Sequence, residues 1–142
     1  MIKIIRLKKA DSKVLKDANT LFYHLTSNAK SASLKELRAM VASPNVEWWF
    51  AIDENRVIGM GILVTFLKSI GIAAQIQEMV VNEKYRGKGV GKLLTDKLIE
   101  RAKVHKATHI DLTSNPSRTD AHKFYEKFGF KKRDTNVYRL KL

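Results

Sequence analysis

Arg86, Gly87, Lys88, Gly89, Gly91 and Lys92 lie between the apolar run Met79-Val80-Val81 and a set of residues, Val90, Leu93, Leu94 and Leu98, that recur at helical spacing. That order, strand then basic glycine-rich turn then helix, is suited to holding phosphate through the main chain. Glycine lets the backbone take dihedrals that a Cβ forbids and lets a ligand come close to it. The first N–H groups of the helix have no intrahelical partner, and they sit at the positive end of the helix dipole. An anion is attracted there, and three basic side chains add formal charge, so the expected ligand is a pyrophosphate.

Two other phosphate-binding motifs fail on spacing. A P-loop needs four residues between its first glycine and a Gly-Lys pair, followed by Ser or Thr; here three residues separate Gly87 from Gly91, and Leu93 follows Lys92. A dinucleotide fingerprint would need its third glycine one residue later than Gly91. Asp111 could serve as the ribose-binding acid, but too little chain follows it to complete that sheet.

Other elements must position this turn. Ile2 to Leu7 reads as an edge strand, and Asp11 or Ser12 can cap a helix whose apolar stripe is Val14, Leu15, Ala18, Leu21, Phe22 and Leu25. Ser33-Leu34-Lys35-Glu36 is a capping box for a second helix, Leu34 to Ala42. Val46 to Ile52 and Val57 to Leu67 predict a hairpin about Asp53-Glu54-Asn55-Arg56, with Trp48 and Trp49 on opposite faces. Gly59 and Gly61 on the second strand mark a close approach or a bulge. Ile70 to Asn82 predicts the next strand and Gly89 to about His105 the helix. His109 to Thr113 is then a strand, Ser114 to Ser117 a turn, and Asp120 starts a short helix with Gly129 as its left-handed cap. Val137 to Leu142 alternates as a final strand. His24, Lys30 and Arg38 read as packed or solvated side chains, although the two cations could meet an acidic acceptor.

The segment Arg86-Gly87-Lys88-Gly89-Val90-Gly91 resembles the acetyl-CoA motif (Q/R)-x-x-G-x-(G/A) of the GNAT superfamily of N-acetyltransferases. Ala121 to Phe130, AHKFYEKFGF, is similar to that superfamily's A-x-x-x-Y-E-K-x-G-F segment. The resemblance covers residues 57 to 142 well and the first third in outline. It implies one α/β domain over residues 1–142, a mixed α+β GNAT fold. Its twisted, mostly antiparallel sheet would have six to seven strands, splayed at the centre and flanked by about four helices. It implies acetyl-CoA as cosubstrate, bound by Met79, Val80 and Val81 along the pantetheine arm and by Arg86, Gly87, Lys88, Gly89, Val90, Gly91 and Lys92 at the pyrophosphate. The amide near Val80 would stabilise the thioester oxyanion. Tyr125 would bind or protonate the coenzyme A thiolate. The two N-terminal helices and the Thr26 to Ser33 connection would shape the acceptor pocket.

The resemblance has two departures. Relatives of the glucosamine-phosphate type often carry a glutamate where this chain has Gln77, with its own acid one residue later at Glu78. Glu78 is the candidate general base, but neighbouring strand residues face opposite sides, so only one of the two faces the acceptor unless a bulge intervenes. Many relatives also have an asparagine at the position of Arg118; here Asn115 and Arg118 are the candidates for contacting the cofactor.

The composition bounds the rest. Without cysteine, disulfides, thiolate metal sites and a cysteine nucleophile are excluded, so an acyl group must pass directly to the acceptor or through another residue type. The resemblance implies direct attack by a primary amine of a small metabolite or protein in a ternary complex, with no metal. The N-terminus lacks the apolar block of a signal peptide and no run is long enough to span a bilayer, so a cytoplasmic protein, monomer or homodimer, is expected. The 27 basic against 14 acidic residues give a net charge of +13, which disfavours polycationic acceptors and favours an anionic one. Two other functions remain open: a non-catalytic acetyl-CoA-binding regulatory module, and a basic RNA- or ribosome-associated protein, although no stacking motif supports nucleic acid.

Overall fold

A computed structural model describes residues 1–25 and 31–142. The Thr26 to Ser33 connection falls partly, and Lys30 wholly, outside the described residues. The chain separates into two compact units, Met1–Leu112 and Thr113–Leu142.

The first unit is one five-stranded sheet covered on both faces. Its strands are β1 (Lys3–Arg6), β2 (Val46–Asp53), β3 (Arg56–Lys68), β4 (Gly71–Val81) and β5 (Ala107–Asp111), in that spatial order. All neighbours are antiparallel except β4 and β5, which run parallel. Helices α1 (Ser12–Leu25) and α2 (Leu34–Ala42) pack on one face and α3 (Val90–Val104) on the other. Capping fixes where the first two begin. The Asp11 carboxylate accepts from the Val14 N–H at 2.8 Å, and Ser33 and Glu36 complete the reciprocal capping box.

Period-2 alternation sorts the strand residues onto two cores. Trp48, Phe50, Met60, Ile62 and Val80 join Ala18, Leu21 and Phe22 of α1 and Leu37 of α2. Ala51 and Ile58 join Val90 and Leu94 of α3, with Trp49, Met79 and Val81 packed around them. The two tryptophans therefore face opposite ways, as the alternation predicts.

Gly59 and Gly61 let α3 lie directly on β3. A Cβ at Gly61 would stand 2.9 Å from both Leu98 Cδ1 and Met79 Sδ, and one at Gly59 would stand 3.1 Å from Leu94 Cδ1. The far end of α3 is tied down by a carboxylate. Glu47, 2% exposed on β2, accepts from Arg101 at 2.8 and 2.9 Å, from the Trp49 indole at 3.0 Å, and meets the His105 ring at 2.7 Å and Arg6 at 3.3 Å. These cationic and N–H partners outweigh the cost of burial and hold the Glu47 carboxyl down at about 2.

The second unit contains one helix, α4 (Thr119–Lys127), ended by Gly129 at φ +93°. Phe124, Tyr125, Phe128 and Phe130 form edge-to-face pairs with centroids 5.1 to 5.7 Å apart.

Two expectations are corrected. Among the described residues the sheet has five strands rather than six to seven, and Val137 to Leu142 joins no ladder, with Val137, Tyr138 and Leu140 exposed. Alternation fixes which side chains share a face but supplies no partner for the backbone. The strand expected at His109 to Thr113 starts and ends two residues earlier, because the ladder with β4 closes at Asp111.

Candidate active site

Strand β4 carries the site because it is irregular on both edges. Toward β3, Met60 pairs with Val80 and Ile62 with Gln77, so Glu78 and Met79 together oppose the single residue Gly61. This is a β-bulge, and Glu78 takes a left-handed φ of +48° to make it. Gln77 then shares the α1/α2 face with Ile62, while Met79 packs on the α3 face against Gly61. The Gln77 side chain donates to Gln75 at 3.2 Å. Desolvation by surrounding protein pushes the Glu78 carboxyl up, although the side chain keeps access to solvent.

Toward β5 the same strand is paired at Ile72, Ala74 and Gln75, and no strand continues the ladder beyond Gln75. Among the described residues of the first unit, the main chain of Met79, Val80 and Val81 therefore pairs with no strand on that side. An extended arm bearing amides could add to such an edge as a strand does.

This edge leads without a break into the glycine-rich turn. Asn82 caps a 3-10 turn, Glu83–Tyr85, by accepting from the Lys84 N–H at 3.1 Å. Gly87 at φ +76° and Gly89 at φ +82° follow, and a Cβ at either would touch nothing within 4 Å. Glycine is thus required there by backbone conformation rather than by space. Gly89 is the N-cap of α3, no side chain caps that end, and no acidic residue stands in the first turn. The N–H groups of Val90, Gly91 and Lys92 are left to an external acceptor. Around them Arg86 lies 3.7 Å from Glu83, Lys88 stands over the Tyr85 ring at 5.0 Å, and Lys92 meets Asp96 at 2.6 Å. All three cations are exposed and only loosely engaged, so they can turn to a phosphate.

Tyr125, Asn115 and Arg118 belong to the second unit. Asn115 Oδ1 accepts from the N–H and hydroxyl of Ser117, at 3.0 and 2.8 Å, and the His122 ring reaches the Asn115 carbonyl at 2.9 Å. Arg118 is the N-cap residue of α4. Burial raises the Tyr125 phenol above its ordinary range and the nearby Arg118 charge partly opposes this, so the phenol keeps its proton at neutral pH.

Sequence reasoning missed the Glu47 cluster and left the bulge as an open alternative at Gly59 and Gly61 and between Gln77 and Glu78. An acid inside Val-Glu-Trp-Trp-Phe was the one visible signal for the first; nothing in Gln-Glu-Met-Val-Val marks the second. Among the described residues there is no cluster of three or more His, Asp or Glu able to hold a metal ion, and no helix long and apolar enough to cross a membrane.

The chain is similar to proteins of known kind. Residues 14–130 match the acetyltransferase (GNAT) family. Over 88 residues the chain is 33% identical to N-acetylaspartate synthetase of Xenopus tropicalis, covering 62% of this chain and 32% of that protein. It is 34% identical over 95 residues to aminoalkylphosphonate N-acetyltransferase of Salmonella typhimurium, covering 66% of this chain and 62% of that one. The chain thus spans about a third of the first relative's length and under two thirds of the second's. The crystal structure of glucosamine-6-phosphate N-acetyltransferase from Arabidopsis thaliana has the same fold, with a TM-score of 0.84 at 20% identity, covering 99% of this chain and 98% of that one. The family match spans more than half of the chain, and the chain belongs to the acetyltransferase (GNAT) family.

Proposed function

We propose that this chain transfers the acetyl group of acetyl-CoA to the primary amine of a small molecule that also carries an anionic group. The observation that carries the reading is the β4 edge at Met79 to Val81, unpaired among the described residues of the first unit, running directly into the uncapped N-terminus of α3. One segment thus offers strand-like hydrogen bonds to the pantetheine arm and amide donors to the pyrophosphate. We read both units as parts of a single catalytic domain, since the family match spans the boundary between them.

Acetyl-CoA supplies the activated acyl group, and the amine replaces the thiolate on it. The chain's own residues do the rest. A main-chain amide near Val80, on the edge of β4 turned away from β3, donates to the carbonyl oxygen as negative charge develops there. Glu78, whose raised pKa brings it closer to the working pH, takes the amine proton directly or through water. Tyr125, protonated at neutral pH, donates to the departing sulfur and Arg118 and Asn115 contact the cofactor.

Two facts support an anionic acceptor. The relatives' names join an amine to carboxylates in one case and to a phosphonate in the other. The net charge of +13 draws anions toward the protein.

The test is thiol release from acetyl-CoA against aspartate, 2-aminoethylphosphonate, glucosamine 6-phosphate and uncharged amines of similar size. Release with an anionic acceptor and not with its uncharged counterpart supports the reading. Release only with uncharged amines overturns the acceptor class. Tight acetyl-CoA binding without release to any amine would point to a regulatory module instead.

A further inference from the structure

A cavity of about 420 Å³ opens on the α1/α2 side of the phosphate turn, between the end of α1, the start of β3 and the exit of β4. Its polar lining is almost all donors. The lining includes His24 in the last turn of α1, Arg56 at the start of β3 and Lys84 in the 3-10 turn, whose side chains carry an imidazole, a guanidinium and an ammonium. Asn82 adds an amide whose oxygen is already taken by the Lys84 N–H, leaving its NH₂ to face outward demand.

Acceptors that could answer these donors are scarce. Glu83 is the one carboxylate lining the cavity, and it is directed at Arg86, 3.7 Å away. Asp53, which pairs with Arg56 in the ladder, turns its carboxylate to the N-terminal ammonium at 3.5 Å. Among the described residues neither Arg56 nor Lys84 has a carboxylate within ion-pair distance. Like charges held around one cavity repel unless a counter-charge joins them. Val57, Ile58 and the Tyr85 ring form the apolar wall, which limits solvent on one side and strengthens charge-assisted hydrogen bonds on the other.

We propose that this cavity binds a small oxyanion, a phosphate, phosphonate or dicarboxylate, through Arg56, Lys84, Asn82 and His24. Arg56 supplies a planar fork that matches two oxygens at once, and Lys84 supplies a point charge. The ligand is either the anionic end of the acceptor or a separate effector. In both cases its contacts include the 3-10 turn that leads into Arg86 and Gly87, so occupancy is felt at the cofactor's phosphates.

The experiment is calorimetric titration of inorganic phosphate into the full chain saturated with coenzyme A, so that the glycine turn is already filled. Arg56→Gln combined with Lys84→Gln should weaken phosphate binding at least tenfold. The control carries the same change in net charge elsewhere, Lys13→Gln with Lys103→Gln, and should bind as the wild type does. If the double variant at the cavity melts, Arg56→Lys keeps the charge without the fork and should still lose affinity severalfold. No phosphate binding to the saturated chain, unchanged affinity in the cavity variant, or an equal loss in the control each overturns the proposal. Where binding is lost as expected, the acetyl-transfer assay separates the two sources. Phosphate that competes with the acceptor marks the acceptor's own subsite, and phosphate that changes turnover at saturating acceptor marks an effector site.

Discussion

Glu47 and Arg101 form a two-pronged pair, Nε to Oε2 at 2.9 Å and Nη2 to Oε1 at 2.8 Å, joining β2 to the last turns of α3. The carboxylate is buried, whereas its cationic partners Arg6, Arg101 and His105 keep about a quarter to a third of their surface in water. Glu47→Gln removes the negative charge those partners share and replaces one of its two acceptor oxygens with a donor, and unfolding in denaturant at pH 7 should show a loss of about 2–4 kcal/mol. The folded carboxyl titrates at about 2 against an ordinary value of 4.5, so its contribution is complete above 4.5 and drains away as pH falls toward 2. Wild type and variant should therefore converge in stability as the pH approaches 2.

Gly89 at φ +82° opens α3, and any side chain there meets backbone strain rather than a neighbour. Gly89→Val should cost about 1–2 kcal/mol of stability and raise the acetyl-CoA dissociation constant by at least tenfold. Calorimetry beside a thermal melt separates the two effects. Normal cofactor binding in this variant would remove the turn from the site.

Gly61 stands where β3, Met79 and Leu98 meet. Gly61→Val overfills that contact and should destabilise the chain by about 1–3 kcal/mol. Because Met79 belongs to the bulge, cofactor affinity should weaken along with stability.

Tyr125→Phe deletes the proposed proton donor while keeping the ring that packs on Phe124 and Phe130. Acetyl-CoA binding should survive and turnover should fall by about 100-fold. An unchanged rate would take Tyr125 out of the chemistry.

Glu78 is required to be ionised if it accepts the amine proton, so kcat/KM should rise with pH through its raised pKa. Glu78→Gln should abolish that acid limb. Its folded pKa lies above the unfolded one, so the carboxyl opposes folding once pH exceeds the ordinary range, and the amide variant should be no less stable at pH 7. Glu78→Gly additionally relieves the left-handed φ and should gain about 1 kcal/mol while losing activity.

What the sequence made legible was whatever rests on local chemistry. The capping box at Ser33 and Glu36, the glycine turn at Gly87 and Gly89, the opposed tryptophans and the Gly129 cap follow from nearest neighbours and period, and each stands in the structure as read. Pairing was less legible, since it depends on chain far away. Val137 to Leu142 alternates like a strand and pairs with nothing, whereas Glu47 finds Arg101 across 54 residues with only its apolar surroundings as a hint. The question of whether Gln77 or Glu78 shares the α1/α2 face could not be answered by alternation, because the answer lies in one missing ladder step opposite Gly61.

That missing step makes Glu78 a supernumerary residue. Without it, Gln77, Met79 and Val80 would oppose Ile62, Gly61 and Met60 in unbroken order, and β3 and β4 would form an ordinary hairpin arm. A chain shortened by deleting Glu78 would keep its inward and outward faces, its cores and its glycine turn, yet lose the offset on which the site is built. The offset that separates this ladder from a plain one is thus a single residue of length, set against one glycine of β3.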